Sequence, residues 1–320
     1  MFTYIFLIIA SLLIVKPVRN SLFLTHMGVS KLPYAFILVA ISAAVIISLY
    51  SKFTNRIQLN RMMLYATVFA ITLLLGFYVL LSLDYGAGWF YYAFYVWVAI
   101  FGVLSTSNFW LLANYMFNAR EAKRLFGFIG SGAIAGGIFG GYLTNVLAPV
   151  IGTKNMILFC VGFAVCCLCI LTQVWRRWAR RNYDDRIHRE RRMADHSSRE
   201  SILNTILNSR HLTYIAGVVG IGVIVANLVD YQFNAVASEV ITDEDKLTAF
   251  FGFWLSSLSI ASLCIQLFLT GRILRVFGVM ASLSFLPVGI FIGAAGILFQ
   301  PALWSAVFIK VSDGSFKHSI

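Results

Sequence analysis

Nine uninterrupted apolar runs, and the opening of a tenth, constrain this chain more than any other feature. They are Phe2–Leu24, Leu32–Tyr50, Met62–Leu83, Trp89–Phe117, Phe126–Ile151, Met156–Trp175, Leu212–Val240, Leu247–Leu269 and Val276–Phe299, with the last beginning at Pro301 and still running at Ile320. A helix needs roughly 20 apolar residues to cross the hydrocarbon of a bilayer. A membrane barrel would show short segments of alternating polarity, whereas these runs are continuous, so the spans are helices. Composition agrees: 12% of the residues are charged and 60% hydrophobic, with a mean hydropathy of +0.83. Soluble domains carry about 25% charge. The fold class is therefore an all-α polytopic membrane protein. The first run is no cleavable signal peptide, because it lacks a basic start and carries Lys16 and Arg19 without a small-residue cleavage site.

The loops orient the spans. Eighteen basic residues fall on one side: Lys52, Arg56 and Arg61; Arg120, Lys123 and Arg124; ten arginines from Arg176 to Arg210; and Arg272 with Arg275. The other side holds Lys31, Lys154 and Lys246 beside several acids. The positive-inside rule then puts the amino terminus in the cytoplasm. It also accounts for the net charge of +12 without any nucleic-acid partner. The polar stretch after the sixth span divides the chain into a six-helix unit (1–175), a basic cytoplasmic linker (176–210) and a second membrane unit (211–320). Within the linker, Ser201–Ser209 reads as a short amphipathic helix on the inner surface.

A few charges lie where lipid would penalise them. Lys16, Arg19, Lys310 and Lys317 with Asp230 and Asp313 fall inside apolar runs. Each costs at least about 2.5–3.5 kcal/mol at mid-bilayer, so they are expected to face protein or a wet cavity. Lys16 and Arg19 lie about 21 and 25 Å along the first span, and Asp230 about 27 Å along the seventh, at a rise of about 1.5 Å per residue. The two spans run the same way and occupy equivalent places in the two units, so a cross-unit ion pair or gate is expected. An excess of bases favours an anionic solute, with arginine a planar fork for phosphate and lysine a point charge. Pro17 removes a backbone donor and is expected to break the first span near its charges. Asn108, Asn227 and Asn234, set among aromatic residues, could bond the edge of a base stacked nearby. In the fifth span Gly132, Gly136 and Gly140 share one helical face, and Ala133, Gly137 and Gly141 the next, a spacing that lets two neighbours approach closely.

Enzyme chemistry has no support in this pattern. No nucleophile–base pair, metal-ligand constellation or phosphate loop is present in the sequence. Four of the five cysteines crowd one apolar run without CxxC spacing or a nearby histidine, so neither a metal nor a cofactor is expected.

Three stretches resemble the bacterial and plastid ADP,ATP carrier (nucleotide transporter) family, which is distantly similar in architecture to the major facilitators. They are IVKPVRNSLFLT from Ile14, FWLLANYMFNAREAKRLFGFIGSGAIAGGIFGG from Phe109, and NLVDYQFNAV from Asn227. The resemblance implies a major-facilitator-like bundle of two pseudo-symmetric halves and twelve spans, so that the second half is expected to be truncated at Ile320. It implies nucleotide exchange by alternating access, with a basic first-span residue (Arg19) and a seventh-span carboxylate (Asp230) in transport. Residues expected to bind substrate are thus Lys16, Arg19, Asn108, Asn227, Asp230, Asn234 and Lys310, with Pro17, Gly132, Gly136 and Gly140 in gating or packing. Where the family has a fourth-span glutamate this chain has Ala99, and where it has a lysine after the seventh-span acid this chain has Asn234. The competing expectations are a facilitator-type carrier of another solute and a non-transporting membrane scaffold.

Overall fold

The computed structural model describes residues 1–54, 59–83, 88–117, 119–176 and 210–264. The linker, the Ser201–Ser209 segment, the ninth and tenth spans and Lys310 lie outside the described residues. Eight long helices make up the described part: α1 (Phe2–Met27), α2 (Leu32–Thr54), α3 (Leu59–Ser82), α4 (Gly88–Met116), α5 (Ala119–Ile151), α6 (Met156–Val174), α7 (Arg210–Val240) and α8 (Glu244–Cys264). Each contains a stretch long and apolar enough to cross a membrane. The chain is an all-helical, multi-pass integral membrane protein. Six of the helices start and end within a few residues of the apolar runs, because span ends follow where polar groups can reach water. The fifth starts seven residues earlier than its run, and α8 is described only to Cys264.

The centre of the bundle is α1. It packs against α4, α5, α6 and α8 and touches α7. Of its most apolar stretch 56% is buried, against 11% for that of the span Val29–Tyr50, which holds most of α2. The outer faces of α2 and α3 present Tyr34, Ile37, Ile41, Val45, Tyr65 and Phe69, the surface a lipid-facing helix carries.

Glycine sets how α5 meets its neighbours. A Cβ on Gly132 would lie 2.9 Å from the Phe2 ring, one on Gly136 would strike the Phe6 carbonyl, and one on Gly140 would lie 2.5 Å from the Ala10 carbonyl. The two helices run parallel and keep step every four residues, so backbone lies on backbone. The adjacent face meets α8 running antiparallel: a Cβ on Gly141 would lie 2.7 Å from the Gly252 carbonyl, and one on Gly252 2.8 Å from the Gly141 carbonyl. Ser256 completes that contact by donating its hydroxyl to the Ile138 carbonyl at 2.9 Å.

The expected break at Pro17 does not occur, because α1 runs as one α-helix from Phe2 to Met27. Proline lacks an N–H and so leaves the carbonyl four residues earlier, that of Leu13, without its helical donor. The hydroxyl of Thr144 on α5 points at that Leu13 carbonyl at 3.5 Å while bonding the Gly140 carbonyl at 2.8 Å. With one proton to give, that hydroxyl serves Leu13 only when it turns from Gly140. A neighbouring Thr of this kind is one means by which proline is tolerated inside a membrane helix.

Candidate functional site

Near the carboxyl-terminal part of α1, side chains from three helices join in one polar chain. The Arg19 guanidinium donates from Nε and Nη2 to Oδ1 of Asn20, at 3.0 and 2.8 Å. Its Cζ lies 4.0 Å from the ring centroid of Tyr95 on α4, a cation–π contact. Asn20 in turn donates from Nδ2 to Oδ1 of Asn234 on α7, at 3.2 Å. Asn234 is 3% exposed and donates its own amide to the Asp230 carbonyl at 2.7 Å. A positive charge is thus held at depth by an aromatic face and an amide, and the link to the seventh helix arrives at Asn234, one turn beyond Asp230.

Beyond this chain lies a second cluster. Ser21 donates to the Glu244 carbonyl at 2.6 Å. His26 stacks on Tyr91 with ring centroids 4.4 Å apart, and its Nδ1 lies 3.7 Å from the Glu244 carboxylate. Thr153 donates both its backbone N–H and its hydroxyl to Oδ1 of Asp245, each at 2.6 Å. Local geometry makes this possible. Gly152 ends α5 with φ +86°, a conformation side chains disfavour, and so turns Thr153 toward α8. Asp243 accepts the Lys246 N–H at 2.8 Å and caps the start of α8. Together these contacts tie α1, the turn between α5 and α6, and the start of α8 at one end of the bundle.

At the opposite end of α1 lies a cavity of about 200 Å³. Tyr4, Ser11, Tyr50, Trp97, Ser105 and Asn108 are among its lining, and the Tyr50 hydroxyl donates to Oδ1 of Asn108. The buried indole nitrogen of Trp97 has no hydrogen-bond partner. Lys16, Arg19 and Asp230 do not line this space.

The expected site residues therefore separate. Arg19 and Asn234 come together through Asn20, with Asp230 one helical turn from Asn234. Asn108 belongs to the cavity, and Arg19 is about 22 Å along α1 from the level of Tyr4. Asn227 turns its amide to the Val223 carbonyl of its own helix at 2.9 Å. Lys16 is exposed on α1 and Pro17 is buried within it. Sequence reasoning missed Asn20, Tyr95, Thr153 and Asp245. Asn20 adjoins the arginine and could have been weighed with it, but nothing marks Tyr95 among fourteen tyrosines.

A multi-pass helical bundle with a cation of its first helix held against an aromatic ring and linked through an amide to α7 has the construction of a membrane carrier. The family model for TLC ATP/ADP transporters matches residues 82–310, and the chain belongs to that family. It is a nucleotide transporter of the ATP/ADP exchange type, a carrier and not an enzyme. No curated protein matches the chain. Tyr95, Asp230 and Asn234 lie within the matched residues, and Arg19 and Asn20 lie before them.

Proposed function

We propose that this chain exchanges adenine nucleotides by alternating access of two helical halves, 1–175 and 211–320, joined by the basic stretch 176–210. Arg19 receives phosphate oxygens through its planar fork, and Lys16, one turn earlier on α1, adds a second cation. Asp230 balances the charge from α7 or carries a coupled proton, and Asn234 and Asn227 contribute polar groups on the same helix. Lys310 is a further phosphate ligand. The membrane is a bacterial inner (cell) membrane, and the amino terminus lies in the cytoplasm; the excess of basic residues in alternate loops supports that orientation.

One observation carries this reading: the Arg19 guanidinium is held between Tyr95 and Asn20 at a depth where charge is costly, and is connected to α7. The test is uptake of labelled nucleotide by reconstituted protein. Arg19→Ala is expected to abolish uptake while the protein stays folded. Uptake at the wild-type rate would take Arg19 out of the mechanism.

A further inference from the structure

We infer that Asn20 is a positioning residue that couples phosphate capture by Arg19 to the parting of α1 from α7. This rests on the reading of Arg19 as the phosphate ligand. The guanidinium edge formed by Nε and Nη2 is the edge that pairs with two oxygens of a phosphate. Here both donors converge on the single Oδ1 of Asn20, so the fork is occupied by a neutral acceptor with one oxygen where phosphate offers two. Phosphate brings a negative charge and a second oxygen to a cationic fork that Asn20 meets with one neutral oxygen, so phosphate displaces the amide.

Displacement has a consequence on the other side of Asn20. The chain of bonds has one consistent direction: guanidinium to Asn20, Asn20 to Asn234, Asn234 to the Asp230 carbonyl. Turning the Asn20 amide over would aim its NH₂ at the guanidinium, donor against donor. The bond from Asn20 to Asn234 is therefore oriented by Arg19. When phosphate takes the fork, Asn20 loses the contact that aims its Nδ2 across the helix gap. Among the described residues α1 meets less of α7 than of α5, and this bond is one of the polar links across that contact. The empty carrier is then held by Asn20 and the loaded carrier released, which favours exchange over one-way uptake.

The experiment measures labelled ADP uptake by the full chain in proteoliposomes, comparing vesicles preloaded with unlabelled ATP against empty ones. Wild type is expected to favour loaded vesicles strongly. Asn20→Ala is expected to lower the loaded-to-empty ratio at least fivefold by raising uptake into empty vesicles, with apparent nucleotide affinity unchanged or tighter. Asn20→Asp, which clamps the guanidinium with a carboxylate, is expected to weaken apparent affinity at least tenfold. Should Asn20→Ala yield no folded protein, Asn20→Ser and Asn234→Ala break the same bond and are expected to lower the ratio likewise. A wild-type ratio and affinity in the folded variants overturns the coupling, as does equal loss of uptake into both kinds of vesicle. A wild-type carrier that fills both vesicle types equally overturns the coupling alone, whereas undiminished uptake by Arg19→Ala overturns the reading of the site beneath it.

Discussion

The first helix is held in two unlike ways. Against α5 it lies backbone to backbone over three glycines, with a fourth residue, Thr144, reaching the carbonyl that Pro17 leaves unserved. Among the described residues it meets less of α7 than of α5, and there Asn20 donates to Asn234 across the gap. A dry contact of many small van der Waals terms has no single group whose exchange would release it. A contact that includes an oriented hydrogen bond is open at that bond to competition from a better acceptor. The difference separates a joint that persists through a transport cycle from one that can open in it.

The contrast can be broken most severely at its tight side. Gly136→Leu places a side chain where the Phe6 backbone already lies, and is expected to cost more than the about 1–3 kcal/mol of ordinary overpacking. Loss of monodisperse protein, or a large fall in melting temperature in detergent, checks it. A wild-type melt would mean that α1 and α5 stand farther apart than described. Next in size is Thr153→Val, which leaves the shape but removes the hydroxyl bonded to Asp245 and Thr248. A loss of about 1–3 kcal/mol is expected for the polar groups left without it, read from thermal unfolding. The smallest effect belongs to Tyr95→Leu on the polar side. Removing the aromatic face from Arg19 is expected to weaken nucleotide binding by about 0.5–2 kcal/mol, with Tyr95→Phe close to wild type. Titration of binding in the two variants decides it, and equal affinities would leave the ring a packing residue only.

Much of this architecture was legible beforehand, because its causes are local. Apolar run length locates the helices, and the four-residue spacing of glycine in the fifth span marks two faces without bulk. How far Arg19 and Asp230 lie along their spans also follows from helix rise alone. The repair of Pro17 was not legible. A proline in an apolar run reads as a break until a hydroxyl from another helix is known to lie beside the freed carbonyl, and Thr144 is 131 residues from Leu13. Asn108 illustrates the same limit. Its residue type suits binding a base, yet it shares a cavity with Tyr50 and Tyr4 at the far end of α1 from Arg19.

By itself, then, the sequence determines that this is a bundle of membrane-crossing helices and which face of the fifth helix is bare. Those properties depend on residue type counted along one helix. Tertiary structure alone decides that Arg19 rests on Tyr95 and reaches α7 through Asn20, and that Thr153 reaches Asp245. Apolar helices offer one another nearly equivalent surfaces at many rotations and staggers. Which polar groups meet is set only when close packing at the glycine faces selects one of them.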